Sequence, residues 1–259
     1  MARKLTALVA VLATMVLAAW GSGAANAAPA KIPLGGGSGI YVMKSKDMAS
    51  SCTLTTIGRA KKTNKLIGIT AGHCGERGQY VLSEKFTDRG IAGVITYSAQ
   101  DIDIAVIEFD EKLVTPLRKV QGVAINGIDA RPLSFPTIAC KQGRTTGNTC
   151  GIAWFSKGHE HYSQICIVEG DSGSPVVVGD KLVGMVNAYY TFGCIGTETG
   201  TNIGPILTRV AALPSYGGFR TILPAPRRNP SVQSPRTGHG GPATAITAQG
   251  FGENNPRVP

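Results

Sequence analysis

The sequence predicts an all-β fold of packed or closed antiparallel sheets, a sandwich or a barrel, with one short helix near its end. Short apolar runs rich in Val, Ile, Thr and Tyr recur from Gly39 to about Leu213. Glycine and Asp-Gly-type punctuation separates them, and Ile206–Leu213 reads as a short terminal helix stopped by Pro214. Many short strands at such spacing favour a sandwich or barrel over an open parallel sheet.

In chain order the expected strands are Gly39–Met43, Leu66–Thr70, Gly90–Thr96 and Ile104–Phe109 in a first half. Ile152–Phe155, Pro175–Val178 and Lys181–Val186 follow in a second. Val178-Gly-Asp-Lys181 is a hairpin turn between the last two, and Thr115-Pro-Leu-Arg118 is the crossover between halves.

The two ends read differently. Arg3 and Lys4 precede an apolar run from Leu5 to Trp20, and small residues lead to Ala25-Asn-Ala27. The run is shorter than the roughly 20 residues a membrane span needs. Residues 1–27 are therefore expected to be a secretory signal peptide cleaved near Ala27, which predicts a secreted or cell-envelope protein. Residues 28–38 form a short lead, and the folded domain is expected over 39–216. From residue 217 the chain turns rich in Pro, Gly, Ser, Asn and Arg, a composition that cannot bury enough to offset ordering entropy, and a disordered tail is expected to 259. Four arginines against Glu253 make the segment from Pro224 basic, and it is read either as a tether to the envelope or as a solvated extension. The whole chain carries a formal charge of +10, but no Lys/Arg run is interleaved with aromatic residues, so nucleic acid is not an expected partner.

The six cysteines lie beyond residue 27, an even count that suggests disulfides in an exported chain. Spacing alone leaves 15 connectivities open. There is no C-x-x-C pair, and His159-Glu-His161 supplies too few ligands for a zinc centre, so neither metal nor cofactor is expected.

Three segments carry chemistry: Thr70-Ala-Gly-His73-Cys74, Asp101-Ile-Asp103-Ile-Ala105 and Gly170-Asp-Ser172-Gly-Ser-Pro175. A serine nucleophile needs a base beside its hydroxyl and a carboxylate to orient that base. His73, Asp103 and Ser172 are the candidate catalytic residues. Asp103 is preferred to Asp101 because it directly precedes an apolar strand, with Asp101 the alternative. The amides of Gly170 and Ser172 are the candidate oxyanion hole, on a loop where glycines permit sharp turning. The α/β-hydrolase elbow G-x-S-x-G is excluded, since Ser174 replaces its last glycine and a strand follows.

With these motifs, and with Ala139-Cys-Lys-Gln-Gly-Arg-Thr-Thr-Gly-Asn-Thr-Cys-Gly151, the chain resembles the bacterial chymotrypsin-like proteases of the streptogrisin and α-lytic protease group. The resemblance covers roughly residues 36–213. It implies two perpendicular six-stranded antiparallel β-barrels, over about 39–114 and 120–213, with the triad in the cleft between them. It implies the disulfides Cys52–Cys74, Cys140–Cys150 and Cys166–Cys194, and a secreted serine endopeptidase acting through an acyl-enzyme on peptide or protein substrates, as a monomer without cofactors. It aligns Lys141 with an arginine that pairs with the Asp before the nucleophile, so a Lys141–Asp171 ion pair is expected, an exposed Lys141 being the alternative. It aligns Asn187, Ala188 and Tyr189 with the substrate-binding strand. Tyr189 stands where the group usually has glycine, so it either blocks the pocket or forms a wall for a small side chain. Ile165 and Ile167 are read either as apolar pocket lining or as strand core. These departures leave two other readings, a protease-fold binding protein of the envelope and an esterase using the same site.

Overall fold

The computed structural model describes residues 30–222 apart from residue 192. The expected signal peptide and the tail from residue 223 lie outside the described residues.

Nineteen short strands carry the described fold. The first half holds β1 (Ile32–Gly35), β2 (Gly39–Met43), β3 (Ala49–Thr53), β4 (Thr56–Ala60), β5 (Leu66–Ala71), β6 (Tyr80–Ser83), β7 (Ile91–Ala99) and β8 (Ile104–Phe109). The crossover holds β9 (Val114–Leu117) and the two-residue strands β10 (Lys119–Val120), β11 (Val123–Ala124) and β12 (Gly127–Ile128). The second half holds β13 (Ile138–Gly143), β14 (Gly147–Lys157), β15 (Glu160–Ser163), β16 (Pro175–Val178), β17 (Lys181–Tyr189) and β18 (Glu198–Asn202). The helix α1 (Ile203–Ala212) and β19 (Phe219–Thr221) end it.

The second half closes into a six-stranded barrel. Its order is β17-β16-β13-β14-β15-β18, and β18 returns to pair with β17. The first half runs β4-β5-β8-β7-β6-β2-β3 in one sheet, with β19 added beyond β4. Its two ends are one bent stretch of chain. Leu54 N–H donates to Ser38 O, on the β2 side, and Thr55 N–H donates to Ile69 O, on the β5 side, both at 2.8 Å. The sheet thus comes round on itself, which removes exposed edges.

The apolar runs fill these barrels. Ile67, Ile69, Ile95, Ile104 and Ile107 are fully buried in the first, and Ala139, Ala153, Val176 and Val186 in the second. α1 packs Ile203, Ile206 and Val210 against the core shared with the first barrel. It begins three residues before the expected start because Pro205, in its first turn, lacks only an N–H that no helix bond requires there.

Two boundaries are corrected. The folded chain does not stop at 216: Phe219 is buried and β19 pairs with β4 in the register Phe219↔Ala60. The lead before residue 39 is also structural, since β1 pairs in parallel with β9 and buries Ile32 and Leu34.

Disulfides join Cys52–Cys74, Cys140–Cys150 and Cys166–Cys194. The first ties β3 to the turn carrying His73. It closes a loop of 22 residues, which by chain entropy contributes about 3 kcal/mol. Replacing Cys52 and Cys74 together by alanine should lower the stability by about that amount in urea unfolding; an unchanged midpoint would show the bridge to be dispensable.

Candidate active site

His73 sits in a single 3-10 turn, Gly72–Cys74, at the end of β5. Gly72 is required there by close approach: a Cβ would lie 2.7 Å from Ala99 O and 2.9 Å from Ile104 N. Asp103 holds a left-handed conformation, φ 49°, just before β8, a region aspartate tolerates better than most residues. The two loops bring the side chains together. His73 Nδ1 lies 2.9 and 3.1 Å from the Asp103 carboxylate oxygens, and His73 N–H donates to Asp103 Oδ1 at 2.8 Å. Asp101 is taken up elsewhere. Its carboxylate pairs with Arg209 of α1 at 2.6 Å, and those hydrogen bonds hold it below the usual carboxylate range.

Ser172 lies on the loop before β16, a loop stapled to the first barrel by two threonines. Thr53 Oγ1 donates to Gly170 O at 2.9 Å, Thr53 N–H to Ser172 O at 2.8 Å, and Thr55 Oγ1 to Gly173 O at 2.7 Å. Gly173, at φ 85°, passes so close that a Cβ would meet Thr53 O at 2.3 Å. Sequence reasoning missed both threonines, although their place beside Cys52 marked the strand facing the histidine turn.

The same loop fixes two amides. Glu169 C=O accepts from Thr145 Oγ1 at 2.8 Å, and Asp171 C=O accepts from Ser174 N–H at 2.8 Å. In a planar trans peptide the N–H points opposite the C=O. The Gly170 and Ser172 amides therefore point away from these anchors, and neither donates to an acceptor among the described residues.

Asp171, between them, is fully buried and saturated. Its oxygens accept from the N–H groups of Thr145, Thr146 and Val168 at 3.0–3.2 Å and from Thr146 Oγ1 at 2.6 Å. Lys141 of β13 is also buried, with Nζ 3.7 Å from Asp171 Oδ2. It donates to Gly147 O at 2.8 Å and to Thr146 Oγ1. Burial pushes the Lys141 ammonium below its ordinary range, and Asp171 opposes that shift. Arg144, at the hairpin tip, forks onto Glu84 of the first barrel and donates its own N–H to Thr53 Oγ1 at 3.1 Å.

Ser172 Oγ donates to Asn187 O at 3.5 Å, a long contact, and no hydrogen bond joins it to His73 among the described residues. Asn187 reaches the other way, its Nδ2 donating to Thr201 Oγ1 at 2.8 Å, and Thr201 in turn donates to Ile102 O beside Asp103. Ala188 is exposed, and Tyr189 is half-buried against the second barrel's core. Ile165 and Ile167 are buried in one apolar cluster with Leu133, Ala139, Ala153 and Val176, against which Tyr189 packs. His161 is likewise interior. It lies against Gly184 and Gly200, with Nε2 3.3 Å from the buried Glu198 carboxylate, whereas His159 sits in the turn before β15.

No protein-family model and no curated protein sequence matches the chain. Solved structures do. Protease A of Thermobifida fusca superposes with a TM-score of 0.57 at 21% identity, over 73% of this chain and all of that one. A Nocardiopsis protease gives 0.57 at 22%, over 73% and 100%. The chymotrypsin of Cellulomonas bogoriensis gives 0.56 at 24%, over 74% and 100%. The fold is that of the bacterial chymotrypsin-like serine proteases.

Proposed function

We propose that the protein is a secreted serine endopeptidase in which Ser172 attacks the peptide carbonyl, His73 moves the proton and Asp103 orients the imidazole. The observation that carries this reading is the Asp103 carboxylate clamped on His73 Nδ1, across from a loop that presents the Ser172 hydroxyl beside the Gly170 and Ser172 amides, neither of which has an acceptor among the described residues. A carboxylate with both oxygens within 3.1 Å of Nδ1 keeps the proton on that nitrogen and leaves Nε2 to act as base. Ser172 Oγ adds to the carbonyl carbon as its proton passes to His73. The developing oxyanion is held by the Gly170 and Ser172 amides, each such donor being worth about 10²–10³ in rate. His73 then protonates the leaving amine, the acyl-enzyme forms, and water repeats the cycle. No metal or cofactor takes part in these steps. A Ser172 hydroxyl that has no hydrogen bond to His73 among the described residues suits a resting site, since catalytic hydrogen bonds often tighten only with substrate bound.

The substrate backbone has a place to lie. Among the described residues Ala188 and Tyr189 of β17 pair on one side only, with Thr199 and Glu198 of β18, which leaves the opposite edge beside Ser172 for an added peptide strand. Half-buried Tyr189 narrows the space next to that edge and favours a small side chain at the residue supplying the cleaved carbonyl. Three disulfides support a site of action outside the reducing cytoplasm.

Profiling purified protein against a quenched fluorescent peptide library tests the reading. Cleavage is expected, with Ala or Gly preferred over Phe or Arg before the cut. Turnover of short esters with no peptide cleaved would instead assign an esterase.

A further inference from the structure

Three aromatic rings, two on neighbouring strands and one just past a third, form a continuous stack on the outside of the second barrel. Phe155 of β14 lies on Tyr162 of β15 with centroids 4.7 Å apart and planes at 24°. Tyr162 lies on Tyr190, the residue after β17, at 6.3 Å and 15°. The outer two are more than half exposed, Phe155 at 52% and Tyr190 at 54%. The middle ring is fixed by its hydroxyl, which donates to Glu160 Oε2 at 2.7 Å. Rings held in order yet left in water contribute little to the core, and such positions mark contact sites.

The stack begins where the substrate edge ends. Asn187, whose carbonyl meets Ser172 Oγ, is three residues before Tyr190, about 10 Å along a strand. Ala188 and Tyr190 are both exposed and, by strand alternation, share a face. The chemistry also sets the direction. The acyl oxygen is held by the loop of the second barrel, whereas His73, which protonates the leaving amine, belongs to the first. The acyl side of a peptide therefore extends over the second barrel, toward Tyr190.

We propose that Phe155, Tyr162 and Tyr190 are a specificity-determining shelf that receives an aromatic side chain of the substrate about four residues upstream of the cleaved bond. The proposal rests on the endopeptidase reading of the cleft. A further ring stacks on an exposed face of the ladder, and parallel offset packing of this kind adds selectivity beyond the area it covers.

The test uses peptide pairs built on a sequence the wild-type protein cleaves, differing only in Trp, Phe or Gly at the fourth residue upstream. The aromatic peptides are expected to have kcat/KM about tenfold above the glycine peptide. That ratio should fall to about one in Phe155→Ser/Tyr190→Ser, and also in Tyr190→Leu, which keeps apolar bulk if the double variant folds poorly. A wild-type protein that takes a fluorophosphonate label on Ser172 but cleaves the pairs equally would overturn the shelf and leave the peptidase reading intact. A ratio that survives in Tyr190→Leu would overturn it too. Retention on an insoluble polysaccharide, lost in that variant with no ratio among peptides, would give the rings to sugar binding instead. A wild-type protein that neither labels nor cleaves overturns both readings.

Discussion

Replacing His73 by alanine is expected to lower peptide turnover by about 10⁵–10⁶-fold, and replacing Ser172 in the same molecule should lower it hardly further. The reason is that the two side chains act as one device. Without the imidazole the hydroxyl of Ser172 keeps its proton; without the hydroxyl the imidazole has nothing to activate. What survives is the rate owed to the free Gly170 and Ser172 amides and to substrate held on the β17 edge. Asp103→Asn should cost less, about 10⁴-fold, because the ring would stay in place while the proton on Nδ1 is no longer enforced by a carboxylate with both oxygens within 3.1 Å. Steady-state kinetics of the two single variants and the double variant check this. Losses that multiplied would mean that the two residues act independently, contrary to the mechanism.

Lys141→Met should destabilise the fold by about 3 kcal/mol and slow turnover, a different signature from the triad variants, which should leave stability nearly unchanged. The methionine keeps the apolar stem but lacks the ammonium that bonds Gly147 O and Thr146 Oγ1 and that is, among the described residues, the cation paired with buried Asp171. The cost sits at the lower end of the range for broken buried pairs, because four hydrogen bonds to Asp171 remain. Turnover should suffer because Asp171 lies between the two oxyanion amides, so any relaxation of its carboxylate tilts them. The lysine also has a pH signature. Its folded value is lowered, so folding pays a penalty wherever the unfolded lysine is protonated. That penalty is relieved as pH climbs from the folded value toward the ordinary lysine value of about 10.4, and stability should gain a rising contribution there that the methionine variant lacks. Urea unfolding at neutral and alkaline pH measures both effects; equal midpoints for the two proteins would show the pair to be without consequence.

The parts of this fold that declared themselves in sequence are those where apolar residues do the packing. β5, β8, β16 and most of β17 are runs of Ile, Val, Leu and Ala, and the structure buries them. β18 was not visible, though every residue of Glu-Thr-Gly-Thr-Asn is buried. Its stability rests on polar partners from other strands: Ser163 on Glu198, Asn187 on Thr201, and Asn202 on the Glu160 carbonyl. Hydrophobic periodicity carries no trace of such contacts. The bent strand β3–β4 was hidden for the same reason, with Thr53 and, in the bend, Thr55 serving as hydrogen-bond donors to the nucleophile loop.

The site divides similarly. His73, Asp103 and Ser172 stand in local motifs whose glycines and flanking strands constrain the backbone, so their segments could be singled out one at a time. What holds them in register comes from residues far apart in sequence. Thr53 is 117 positions from Gly170, and Arg144 meets Glu84 across 60 positions. The reach of Asp101 toward Arg209 removes it from the cleft in a way that only the position of α1 reveals. Ile165 and Ile167 flank a cysteine on the approach to Ser172, which in sequence suits pocket and core equally; their burial beside Ala139, Ala153 and Val176 comes from strands distant in sequence.

The most direct test of the central claim is intact-mass analysis of the folded, disulfide-bonded protein after exposure to a fluorophosphonate probe, beside Ser172→Ala treated identically. A single adduct on the wild-type protein, mapped to Ser172 and absent from the variant, is the predicted result. A wild-type protein that stays unmodified, or one whose adduct persists in Ser172→Ala, would contradict the assignment of Ser172 as an activated nucleophile.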